Sequence, residues 1–159
     1  MSKETRTESA RIADQLRRAF AGEAWHGDSL FEILEGVTAA QAAARPIAVA
    51  HSIWELVLHI AAWDGAVLRR LEGSAVEPSD AENFPAVTDT SDAAWHRTLA
   101  AVRHVHAELV SAVSVLPDLR LSQMVPGKEG AHYTFYYMLH GVAQHELYHA
   151  GQIALLKKM

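Results

Sequence analysis

His145 and His149 stand four residues apart in Gln144-His145-Glu146-Leu147-Tyr148-His149-Ala150-Gly151-Gln152. On an α-helix this spacing stacks the two imidazoles on one face, near enough for one ion to take a nitrogen from each. Phe135, Val142, His149 and Leu156 recur every seven residues, as do Met138, His145, Gln152 and Met159. Together the two series predict one inward stripe. An imidazole placed where a helical core wants leucine must shed water, at a cost of roughly a few kcal/mol unless its nitrogens find partners. A metal ion partners both at once. The plainer reading is chance or packing, since the chain carries 10 histidines, but the core register favours the metal.

The same letters match H-E-x-x-H, in which Glu146 would be the general base of a zinc protease. Such enzymes usually take their third ligand from downstream, and no His, Asp or Glu follows His149. Glu146 also falls to the side of the stripe, and no substrate edge strand is predicted, so protease is a remote alternative. The third ligand must then come from upstream. His59 is the best candidate, at the rim of the apolar arc of its own helix. His59, His145 and His149 with open positions make a catalytic rather than a structural type of site. Three neutral imidazoles suit Zn, Ni or Fe(II). Gln152, one turn beyond His149, is placed for the outer shell, and Glu146, Tyr148 and Gln152 are the candidate proton or orientation partners. Gly151 is expected to let a neighbouring helix approach closely.

Four long helices are predicted to position these groups. The first runs from about Glu4 to Ala21 and is interrupted by Gly22 and Gly27. Two short helices follow from the capping boxes Ser29-Leu30-Phe31-Glu32 and Thr38-Ala39-Ala40-Gln41. A third box, Ser52-Ile53-Trp54-Glu55, opens the second long helix, which extends to Leu71 and is stopped by Gly73. Asp64 lies in the middle of its apolar arc, where it is either a buried ion-pair partner, the favoured reading, or an outer-shell acceptor. Residues 73–90, with Pro78 and Pro85, read as a crossover loop. Trp95, Leu99, Val102, His106, Leu109, Val113 and Leu116 stripe the third helix, from Ser91 to a stop at Pro117-Asp118. His106 falls on that stripe, where a bond to a buried carbonyl explains it as well as a site role. His96 and His104 fall off it and are expected in solvent. The stretch 119–130 is a loop of the kind that lines a pocket mouth. The fourth helix runs from Thr134 to Leu156, with His132 and His140 expected to be exposed.

The predicted fold is all-α, a four-helix bundle with a long crossover between helices 2 and 3 and short accessory helices after helix 1. With 159 residues, 50% of them apolar, the chain is sized for a single domain spanning 1–159. A net charge of −5, with no basic patch, argues against nucleic acid as partner. Cysteine is absent, which excludes thiolate ligands and disulfides. No apolar run suffices for a membrane span or signal peptide, so a cytoplasmic protein is expected.

His51-Ser52-Ile53-Trp54-Glu55-Leu56-Val57-Leu58-His59-Ile60-Ala61-Ala62-Trp63 and Gln144-His145-Glu146-Leu147-Tyr148-His149-Ala150-Gly151-Gln152-Ile153 resemble the two signature stretches of the DinB/YfiT-like metalloenzymes, and Trp25-His26-Gly27 and the overall length are similar too. The resemblance implies a bundle holding a divalent metal on His59, His145 and His149, and a homodimer. It further implies a small-molecule substrate, with thiol S-transferase-like activity using a low-molecular-weight thiol, or hydrolase-like activity. The other class of reading is a non-catalytic metal-binding or dimerising bundle; metal-free packing histidines are the remaining alternative.

Overall fold

The computed structural model describes residues 6–127 and 133–159. These residues are all-α, with no strand among them. Helix α1 spans Glu8–Ala21, α2 Leu30–Leu34, α3 Ala39–Ala43, α4 Ile53–Leu71, α5 Asp80–Asn83, α6 Asp92–Ser114 and α7 Phe135–Leu156. Capping sets most of the starts. Ser29, Thr38 and Ser52 close the expected boxes with Glu32, Gln41 and Glu55, while Ser91 and Thr134 cap α6 and α7. Gly73, at φ 99°, provides the left-handed turn just beyond α4.

Two starts differ from expectation. Helix α1 begins at Glu8 rather than near Glu4, because Thr7 is its N-cap and Asp118, far along the chain, accepts from Glu8 N and Ser9 N at 2.9 Å each. The crossover, predicted as loop, contains α5. Its Ser79-Asp80-Ala81-Glu82 is a fourth capping box, with Ser79 N donating to Glu82 Oε2 at 2.8 Å.

The four long helices pack in a closed cycle, α1 against α6, α6 against α4, α4 against α7 and α7 against α1. Two apolar clusters fill the interior. One gathers Trp54, Ile60, Trp95, Val102, Ala150 and Ile153; the other Leu16, Val67, Leu109, Phe135, Leu139 and Val142. Helices α4 and α6 each pass from the first cluster to the second, whereas α7 passes from the second to the first. The link between α4 and α6 must therefore travel back along the molecule, as its length suggested.

Between the clusters lies a polar layer. Asp64 falls between Ile60 and Val67, His106 between Val102 and Leu109, and Glu146 between Val142 and Ala150. All three are buried. The register of α7 thus departs from the predicted stripe: Leu139, Glu146 and Ile153 are its most deeply buried line, each 0% exposed. Phe135, Val142, His149 and Leu156 are buried as expected, but Met159 is exposed and His145 and Gln152 are half-buried. A histidine can occupy the edge of a core because one ring face packs while its nitrogens stay reachable.

Gly151 is exposed, and a Cβ there would meet nothing, so no neighbouring helix approaches it closely. His96 and His104 are exposed, as expected. His140 is not: it is half-buried against Tyr136, ring centroids 4.4 Å apart, with Nε2 shut off from solvent. His132 lies outside the described residues. Of the 119–127 stretch, Leu121 and Val125 pack into the core rather than at a pocket mouth.

Candidate metal centre

His59 from α4 and His145 and His149 from α7 meet at one point. Nε2 of His145 lies 2.9 Å from Nε2 of His59 and 3.1 Å from Nε2 of His149, and the three ligand atoms all fall within 4.8 Å of one another. Three nitrogens bound to one cation at ~2.1 Å stand roughly 3.0 Å apart at right angles and roughly 3.4 Å apart in a tetrahedron. The two spacings from His145 lie at the lower end of that range.

The outward nitrogens fix the tautomers. His59 Nδ1 donates to the main-chain carbonyl of Asn83 at 2.9 Å, and His149 Nδ1 donates to Gln152 Oε1 at 2.6 Å. Each ring therefore carries its lone pair on Nε2, facing the shared point. A hydrogen on His145 Nε2 could bridge to only one of them. Three ring nitrogens facing one spot, at least two of them acceptors, are what a cation satisfies together. Burial lowers the pKa of all three rings; for His145, burial together with the neighbouring His149 and His59 brings it to about 4. All three are neutral near pH 7 and ready to ligate.

The supporting shell comes partly from the crossover. Trp63 Nε1 donates to Asn83 Oδ1 at 2.8 Å, which ties the end of α5 to α4 and sets the carbonyl that orients His59. Phe84 stacks on His59 with centroids 4.2 Å apart and planes 5° from parallel. Neither Asn83 nor Phe84 was anticipated. The Ser79 capping box was the available signal for an element there.

The three histidines line one wall of a cleft of ≈ 440 Å³ whose other walls include Trp63, Val67, Arg70, Tyr133, Tyr137, Met138 and Tyr148. A larger groove of ≈ 870 Å³, between α2 and α6, contains none of the converging ligand sets found among the described residues. Of the predicted partners, Gln152 holds His149 and Tyr148 stands at the cleft, its ring 4.9 Å from that of His149. Glu146 does not join them. One residue from His145 is a 100° turn of the helix, which carries its carboxylate into the core, away from the cleft. It cannot be the base of an H-E-x-x-H site in this placement.

Glu146 instead forms a second cluster with Asp64 and His106. His106 Nδ1 donates to Asp64 Oδ2 at 3.0 Å, and Glu146 Oε1 lies at the same 3.0 Å from that nitrogen without completing a hydrogen bond. Burial would depress His106, but the two carboxylates beside it prevail and raise it to about 9. Burial pushes Asp64 up, opposed by His106, and lifts Glu146 to about 7. Asp64 is thus the buried ion-pair partner it was expected to be, and His106 is bonded to a carboxylate rather than a carbonyl.

The sequence profile of the DinB superfamily matches residues 24–153. The chain belongs to this metal-binding superfamily, and the three converging histidines are its candidate ligands. Comparison with curated proteins and with solved structures finds no match.

Proposed function

We propose that the chain is a divalent-metal-dependent enzyme acting on a small molecule, of the thiol S-transferase type or, next to it, the hydrolase type. The observation that carries the reading is the placement of three neutral imidazoles on the wall of an open cleft rather than inside a closed core. His59, His145 and His149 would hold a divalent ion of the Zn, Ni or Fe(II) kind, which would supply Lewis-acid activation of a thiol or water toward a nucleophile near neutral pH. Every other task falls to side chains. Trp63, Val67 and Met138 offer an apolar wall for the body of an electrophile and keep water from that side. Tyr148, exposed at the mouth, is the candidate for passing a proton to or from the reacting group. Gln152 is a positioning residue, acting through His149. A cytoplasmic homodimer that needs a low-molecular-weight thiol and no nucleic acid completes the proposal; the net charge of −5 supports the last part.

Protein loaded separately with Zn, Ni or Fe(II) is incubated with cysteine or glutathione and an activated electrophile, and conjugates are followed by mass spectrometry beside an ester-hydrolysis assay. Metal-dependent conjugation or hydrolysis, abolished in His149→Ala, is expected. Metal-loaded protein that does neither, beyond the chelated control, overturns the reading in favour of a non-catalytic metal-binding bundle.

A further inference from the structure

We propose that Asp64, His106 and Glu146 form a second divalent-cation site, buried between α4, α6 and α7 and separate from the three-histidine centre. Their ligand atoms lie within 4.8 Å of one another, and His106 Nδ1 stands 3.0 Å from both Asp64 Oδ2 and Glu146 Oε1. That is the edge length a cation with bonds of ~2.1 Å subtends between adjacent ligands.

The case rests on what is left unpaired. One imidazole hydrogen can serve one carboxylate, and here it serves Asp64. Glu146 is 0% exposed, and neither of its oxygens has a hydrogen-bond partner. Among the described residues, the charged groups felt by Glu146 are Asp64 and His106, and Asp64 feels His106, with no lysine or arginine beside them. Two carboxylates and one imidazole therefore share the centre of an apolar interior without a countercharge among them sufficient for both acids. A divalent ion would supply it.

The ring is also held for the purpose. Phe20 stacks on His106 with centroids 3.7 Å apart and planes 2° from parallel, fixing the imidazole plane. The three ligands occupy one level of each helix, the polar layer between the two apolar clusters, which is where bundle interiors carry carboxylate and histidine ligands. A set of two carboxylates and one imidazole suits Mn(II), Fe(II) or Zn(II) better than Mg(II) or Ca(II), which favour all-oxygen shells. None of the three residues lines the cleft, so the ion must enter during folding or by opening of the bundle.

The full chain is expressed with Mn, Fe or Zn supplementation, desalted, and its metal content counted per chain for wild type, His149→Ala and Glu146→Gln. About two ions in wild type and about one in each variant are expected, because each variant disables a different site. With Mn(II), the ion remaining in His149→Ala gives a bound paramagnetic signal that disappears on adding Glu146→Gln. Should Glu146→Gln fail to fold, wild type and His149→Ala decide the matter. Wild type holding about one ion and His149→Ala holding none overturns the proposal, leaving a proton as the occupant; the three-histidine reading survives that result, and fails only if His149→Ala loses no ion.

Discussion

The molecule carries two clusters with opposite electrostatics, both drawing on α4 and α7, the core one also on α6. His59, His145 and His149 sit at a cleft with no acid among them, and burial lowers all three pKa values. Asp64, His106 and Glu146 sit in the core, where carboxylates raise the histidine to about 9. His145 and Glu146 are adjacent in sequence yet belong to different clusters. The helical turn between them, rather than distance along the chain, decides whether a side chain faces substrate space or the interior.

Removing one member of the core cluster is expected to have the largest effect. His106→Leu leaves two carboxylates buried against each other, and a loss of about 3–5 kcal/mol is expected in chemical denaturation. His145→Leu in chelated protein should cost less than about 1 kcal/mol or stabilise, since it relieves imidazole crowding that only a metal rewards. Equal losses would show that the two clusters do not differ as described.

Gln152→Ala comes next. It removes the 2.6 Å acceptor that fixes the His149 tautomer, and metal affinity should fall roughly 10–100-fold with little change in the stability of the chelated protein. A competition titration with a chromophoric chelator measures it. Ser79→Ala has a smaller effect: loss of the α5 cap, worth about 1 kcal/mol locally, loosens Asn83 and should weaken metal binding by less than Gln152→Ala does.

Proton linkage separates the clusters by sign. His145, at about 4 in the folded chain against an ordinary 6.5, binds fewer protons folded than unfolded. Its contribution is present above pH 6.5 and is lost as pH falls through about 4. His106 is raised from 6.5 to about 9, so its contribution is full below pH 6.5 and lost as pH rises through about 9. Melting of chelated protein should therefore weaken on both flanks, and His145→Leu should soften the acid flank alone.

The histidine pair was legible because a helix repeats locally: four residues suffice to put two rings on one face. His59 could be added because the pattern of its own helix puts it at the rim of the apolar arc, and it is buried there. Glu146 was misplaced because stripes spaced at seven residues fit more than one face of a helix with so many apolar positions; Leu139-Glu146-Ile153 was an equally regular line with an acid in the middle. The core cluster needs three helices, and no spacing within one of them encodes a bond from His106 to Asp64. The crossover helix is encoded locally: Ser79 to Glu82 repeats the pattern that opens α2, α3 and α4. Asp118 capping α1 from a distant turn had no local signature at all.

Three imidazoles from α4 and α7 are proposed to grip one divalent ion. Crystals of metal-loaded protein, with data collected on either side of the absorption edge of that metal, test it most directly. An anomalous peak within bonding distance of Nε2 of His59, His145 and His149 together is the predicted result. Metal-replete crystals with no peak at that point, or with any of the three rings turned away from it, would contradict the account.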